Sequence, residues 1–214
     1  MRVLVACEYS GAVRDAFIRG GHDAMSCDLL PTDAPGPHYQ GDVFDIIDDG
    51  WDLMIAHPPC TYLTNSGVRW LREKVKGGDG FTGRAIDRWP AMIEGALFFR
   101  RLLDAPIPRV AVENPTMHGY AASIVGQKAT QTIHPWQHGH TQTKATGLWL
   151  RGLPPLVETH NVKAEMMELS YAERSAIHYA SPGPNRWKER SVTFAGIAQA
   201  MADQWGSVVR EAAA

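Results

Sequence analysis

The chain has 214 residues, enough for one domain whose core needs no disulfide or metal staple. Hydrophobic residues make up 44% and charged residues 21%, which excludes a disordered chain. Twenty-one Lys and Arg against 23 Asp and Glu leave a formal charge of −2, so nucleic acid could be held only by a local basic strip. No apolar run approaches the ~18 residues of a membrane span, and Met1 to Val5 reads as a strand rather than a signal peptide. Three scattered cysteines fit neither a disulfide framework nor a zinc ribbon. A soluble, cytoplasmic protein is expected.

In chain order, Val3 to Cys7 reads as a buried strand, Ser10 as a helix N-cap, and Val13, Phe17 and Ile18 as the apolar face of a helix ended by Gly20-Gly21. His22 to Cys27 is a second strand ending at Asp28, and Asp52 to Ala56 another, stopped by Pro58-Pro59. Residues 72–84 are charged, glycine-rich and aperiodic, as in a mobile loop. Ile86, Trp89, Ile93, Leu97 and Leu103 outline a helix of about five turns, and Arg109 to Val112 a buried strand ending at Glu113. Thr130 to Ile133 and Leu148 to Leu150 read as strands, Pro154-Pro155 opens a loop-rich connection, and a last helix is expected over Thr193 to Val208. Alternating strands and helices predict one α/β domain over residues 1–214, its mostly parallel sheet covered by helices on both faces.

Ligands of open α/β sheets bind beyond the carboxyl ends of the strands, where this chain carries its unusual polar residues. The first strand leads through Cys7, Glu8, Ser10 and Gly11 into a helix whose N-terminal N–H groups could face a ligand. Asp28 could accept the hydroxyls of a ribose, and Asp42 is a second acidic candidate near an adenine. His57-Pro58-Pro59-Cys60 holds a thiol rigidly at a strand exit, a candidate nucleophile if a cation lowers its pKa; Cys7 and Cys27 read as core. Glu113, leaving an apolar strand, should be desolvated and its pKa raised. Arg69, Arg72, Lys74, Lys76, Arg84 and Arg88, interleaved with Trp70, Phe81 and Trp89, compose a strip that could grip phosphates and stack on bases. His134, His138 and His140 lack the cysteine or carboxylate partners of a zinc site and read as phosphate-binding or cleft-lining groups; no metal is expected. Arg186, Lys188 and Arg190 could touch DNA before the last helix.

This order of motifs resembles the DNA (cytosine-5) methyltransferase family. Ser10-Gly11 stands at the cofactor loop, Pro58-Pro59-Cys60 at the nucleophile and Glu113-Asn114 at the acidic pair, while Gln142-Thr143-Lys144-Ala145-Thr146 is an altered Gln-x-Arg-x-Arg. The resemblance implies a Rossmann-like S-adenosylmethionine-dependent methyltransferase fold and transfer of a methyl group to carbon 5 of cytosine in DNA. It implies that Cys60 attacks carbon 6, that Glu113 holds N3 and the exocyclic amine, and that Lys144 supports the base or a phosphate. Cys7, Glu8, Ser10, Gly11, Asp28, Asp42 and Pro58 would bind S-adenosylmethionine or a close derivative. Asn114, Gln142, Arg69 and Arg84 would contact a cytosine flipped out of the duplex.

The chain departs from the family in several places. No glycine precedes Gly11 in the cofactor loop, Thr61 follows the nucleophile, Thr146 replaces the second arginine, and Gly196-Ile197-Ala198 replaces Gly-Asn. Residues 157–184 stand where the family has a large target-recognition domain, so stringent reading of a long site is not expected. Three alternatives stay open: a pyrimidine carbon-5 transferase acting on a free nucleotide or moving a group other than methyl, an amino-methyltransferase, and a non-catalytic nucleic-acid-binding module. The stripped-down architecture would suit a phage enzyme working in a bacterial host, with no obligate protein partner.

Overall fold

The computed structural model describes residues 1–177, 183 and 186–212. Seven strands form one sheet: β1 (Arg2–Ala6), β2 (Asp23–Asp28), β3 (His38–Gln40), β4 (Leu53–Ala56), β5 (Arg109–Pro115), β6 (Gln131–Ile133) and β7 (Thr146–Arg151). Their spatial order is β3-β2-β1-β4-β5-β7-β6. Strands β1 to β5 run parallel to one another, whereas β7 runs antiparallel to both β5 and β6. The helices are α1 (Ala12–Arg19), α2 (Gly83–Leu103), α3 (Gly119–Val125), α4 (Lys163–Glu168), α5 (Tyr171–Arg174), α6 (Arg186–Ser191) and α7 (Ala195–Ala212).

Both faces of the sheet are buried, which explains the uninterrupted apolar strands. Successive side chains point to opposite faces, so Val3, Val5, Leu53, Ile55 and Ala111 pack with Phe17 of α1 and Trp205 of α7. Leu4, Ala6, Met54, Ala56, Val110 and Val112 pack on the other side with Met92 and Phe99 of α2 and Ala121 of α3.

The expected elements are present, with shifts that have physical reasons. Helix α2 buries Ala85, Met92, Ala96, Phe99 and Leu103 and leaves Ile86, Ile93 and Leu97 exposed. The expected stripe was therefore rotated by one residue, because small alanines allow close approach to the sheet without announcing it. Strand β5 runs past Val112 to Pro115, since the antiparallel β7 pairs Leu148 with Glu113 and Gly147 with Asn114. Strand β3 and helix α3, with no strong sequence signal, are additional.

The N-cap position of α1 is Gly11, in the left-handed region at φ 75°, one residue after the expected Ser10; the Ser10 hydroxyl still accepts Ala12 N–H at 3.3 Å, and Glu8 takes those of Val13 and Arg14. Residues 72–84 include a hairpin tied by the Lys74–Phe81 bridge and by Val75 N–H donating to Gly80 O, with α2 starting at Gly83 under the Thr82 cap. Within 157–184, α4 and α5 are short helices, and positions 178–182 and 184 lie outside the described residues.

Candidate active site

The register of the sheet assembles the site. Ala6 pairs with both Cys27 and Ala56, and Ala56 pairs with Val112. The next residues, Cys7, Asp28, His57 and Glu113, therefore leave neighbouring strands along one edge. Backbone bonds lock these exits: Glu8 N–H donates to Cys27 O at 3.0 Å and His57 N–H to Ala6 O at 2.9 Å. Because β7 is antiparallel, with Thr146 opposite Pro115, the segment before it delivers Lys144 to the same edge.

Cys60 sits on a tight turn, its carbonyl accepting the N–H groups of Leu63 and Thr64 at 3.0 and 3.2 Å. The turn is stitched to the chain beyond Glu113: Asn65 N–H donates to Thr116 O, and His118 N–H to Leu63 O. Buried His118 accepts Ala121 N–H on Nδ1, so its proton sits on Nε2, which donates to Tyr62 O at 2.9 Å. The nucleophile and acid segments are thus one sewn unit. Burial, with the negative charge of Glu113, pushes the Cys60 thiol up; Lys144, the cysteine's own backbone and Arg190 offset this in part. The expected activation by a cation is present, but it does not win over desolvation.

Glu113 behaves opposite to expectation. Burial pushes its carboxyl up, yet neighbouring His57, with a smaller contribution from Lys144, holds it below the ordinary carboxylate range. For His57, burial disfavours the charge, but Glu113 and then Glu8 outweigh it and the imidazole titrates above its usual value, against opposition from Lys144. His57 Nδ1 lies 3.7 Å from Glu113 Oε1, with the side chains 8% and 21% exposed. That gap exceeds hydrogen-bond length. Among the described residues, neither ring nitrogen of His57 has a hydrogen-bond partner. His57 was in view as part of its motif, but only the β4–β5 register reveals its neighbour.

The other edge of the cleft is acidic. Asp28 and Asp42 lie within electrostatic reach of Cys7 and Cys27, raising both thiols on top of burial, Cys27 to about 12. Asp28 accepts Leu30 N–H and Asp42 accepts Phe44 N–H, so both carboxylates are oriented. Cys7 adopts φ 57°, a left-handed conformation that turns the chain sharply off β1. Glu8 is buried and accepts Val13 N–H at 2.7 Å, Arg14 N–H at 3.2 Å and the Ser10 hydroxyl at 3.3 Å. The α1 N-terminus is therefore satisfied by the chain's own carboxylate, which corrects the expectation of free N–H groups facing a ligand. Pro58 is buried beneath the Cys60 turn. Arg14, which the sequence did not single out, is wholly buried and donates to Ser26, Thr32, Ala34 and Pro35, organising the β2–β3 loop.

Lys144 donates to Arg190 O at 2.9 Å, which brings α6 over the site. Tyr9 donates to Lys188 O at 3.1 Å and Lys188 pairs with Asp33 at 3.0 Å, so α6 also touches the acidic edge. Gln142 donates to Glu173 O, fixing the strap against α5. Asn114 is fully buried and its amide donates to Pro115 O, which fixes the end of β5 beside Glu113. Exposed Arg69 and Arg84 both sit over the Trp70 ring, 4.4 and 4.8 Å from its centroid. The ring is thus occupied by guanidinium groups, and Trp89 turns inward to Tyr120 and Leu71 O. Of the three histidines, His134 stacks on Trp136, His138 bonds Thr159, and His140 accepts Gly196 N–H. Among the described residues no metal-holding cluster occurs, and no helix is long and apolar enough to cross a membrane.

The strand order, with β7 inserted antiparallel between β5 and β6, defines a Rossmann-like methyltransferase fold, a class that in general binds S-adenosylmethionine. Similar solved structures include a protein described as a DNA modification methyltransferase encoded within a prophage, from E. coli (14% identity, 70% of this chain and 46% of that one, TM-score 0.42). Others are the Entamoeba histolytica methyltransferase EhMeth (12%, 75% and 57%, 0.46) and a triple mutant of Spodoptera frugiperda DNMT2 (13%, 75% and 54%, 0.36). The chain spans about half the length of these proteins. No family model matches the sequence, and no curated protein is similar to it.

Proposed function

We propose that the protein transfers a methyl or related group to carbon 5 of cytosine in DNA, through a covalent adduct of Cys60 with carbon 6. The observation that carries this reading is the meeting of Cys60, Glu113 and Lys144 at adjacent strand exits, where Cys60 feels the charges of Glu113 and Lys144 and Glu113 feels that of Lys144. Carbon 5 of a neutral pyrimidine is a poor nucleophile. Addition of a thiolate at carbon 6, with a proton delivered to N3, makes it an enamine carbon. Glu113 is the group that faces N3 and the exocyclic amine. Lys144 supplies positive charge against the thiolate and the base.

The acidic edge fits the donor that the resemblance implies: carboxylates suit a sulfonium nucleoside, with Asp28 toward the ribose, Asp42 toward the adenine, and Cys7, Ser10, Gly11 and Pro58 lining the turn. S-adenosylmethionine, when bound, supplies an electrophilic methyl group. Glu8 contributes negative charge there while it caps α1. Exposed Arg69 and Arg84 hold phosphates, and Gln142 and buried Asn114 support the strap and the floor around the flipped base.

The test is to incubate the protein with methyl-labelled S-adenosylmethionine and mixed-sequence duplex DNA, digest, and analyse the nucleosides. Label is expected in 5-methylcytosine with the wild type and absent with Cys60→Ser. Label on an exocyclic amine would assign the protein to the amino-methyltransferase reading instead.

A further inference from the structure

We propose that His57 is the proton reservoir for Glu113, so that a His57–Glu113 dyad, rather than the carboxyl alone, protonates N3 of the cytosine. The proposal deepens the carbon-5 reading above and rests on it. Three observations carry it. The β4–β5 register sets the residue after Ala56 beside the residue after Val112, so the pairing is built into the sheet. His57 Nδ1 lies 3.7 Å from Glu113 Oε1, close enough for a small side-chain rotation to join them. Both ring nitrogens are buried and, among the described residues, have no hydrogen-bond partner, a costly state for an imidazole that serves only as filler.

The charged groups facing His57 come from three elements: Glu113 on β5, Glu8 after β1, and Lys144 on the strap before β7. Two carboxylates against one ammonium favour the imidazolium, and the imidazolium keeps Glu113 ionised at rest.

The proton balance is as follows. Sulfur of Cys60 bonds carbon 6 while the thiol proton leaves to cleft water. The C5=C6 electron pair moves to C4=C5, and the C4=N3 pair moves to N3. His57 passes its Nδ1 proton to the ionised Glu113, which hands it on to N3, leaving a carboxylate and a neutral imidazole. Elimination of Cys60 runs these transfers backwards and returns the proton to His57. His57 thus acts through Glu113 and is a positioning and relay residue.

The test needs no methyl donor. Addition and elimination at carbon 6 exchange the carbon-5 hydrogen with solvent, so mixed-sequence duplex DNA is incubated with the protein in heavy water and deuterium in cytosine is read by mass spectrometry. Wild-type exchange should rise with pH as the thiol ionises and then fall as His57 loses its proton. His57→Gln should exchange on the order of a hundredfold more slowly and climb with pH without that fall. Equal rates and profiles in the two proteins would overturn the proposal. A wild type that exchanges nothing overturns the carbon-5 reading itself, and the relay with it. If His57→Gln does not fold, histidine NMR decides: the His57 titration should move to lower pH in Glu113→Gln, and an unmoved titration overturns the dyad.

Discussion

At Cys60 the decisive contest is between desolvation, which keeps the thiol protonated, and the positive charges of Lys144 and Arg190, which oppose it. At rest Cys60 is therefore a thiol, and its alkylation by iodoacetamide should be slow at neutral pH and rise steeply in alkali. Replacing Lys144 by Gln removes a lowering charge and should slow labelling at a fixed pH. Replacing Glu113 by Gln removes a raising charge and should speed it. Mass spectrometry of the Cys60 peptide measures both, and equal rates in the two variants would contradict the electrostatic arrangement. The residue types at this site were legible in the sequence because Pro-Pro-Cys and Glu-Asn each follow an apolar run. Their protonation states were not. Glu113 was expected to titrate high, and the correction comes from His57, a neighbour 56 positions away that only strand pairing brings near.

Elements rather than single groups position these side chains, and two buried residues carry much of that work. Glu8 takes the Val13 and Arg14 N–H groups of α1, beside Ser10, whose hydroxyl accepts that of Ala12. Glu8→Ala should cost about 1–2 kcal/mol of stability, as loss of a helix cap does, readable as a lower denaturant midpoint. His118 ties the Cys60 turn to the start of α3 through Nε2 to Tyr62 O and Nδ1 from Ala121 N–H. His118→Ala should lower kcat by roughly tenfold to a hundredfold, because the reacting groups tolerate little displacement. Cofactor affinity should stay close to wild type, since the acidic edge does not depend on this tie. Neither role could be read from sequence. A cap contributed from outside the helix has no fixed spacing, and the His118 contacts join segments on different strands.

Over the whole molecule, the alternation of strands and helices announced the sheet, while its order, the antiparallel β7 and the added β3 came from pairings that no local pattern encodes. With a formal charge near neutral, the proposed DNA contact requires a local basic strip, for which exposed Arg69 and Arg84 are the candidates. Duplex binding should therefore weaken linearly in log–log plots against salt. The double variant Arg69→Ala, Arg84→Ala should reduce that slope by about 2, roughly one per lost phosphate contact, with little change in base preference. An unchanged slope would move the phosphate contacts elsewhere, to Arg72 or Arg88.

The covalent adduct is the central claim, and trapping it is the most direct test. Duplex DNA containing 5-fluorocytosine, incubated with the protein and S-adenosylmethionine, should give a stable protein–DNA species, because fluorine at carbon 5 cannot leave as a proton does. Peptide mapping should find the base on Cys60, and Cys60→Ser should give none. Label transfer to ordinary cytosine without any trapped adduct, or an adduct on another residue, would contradict the account.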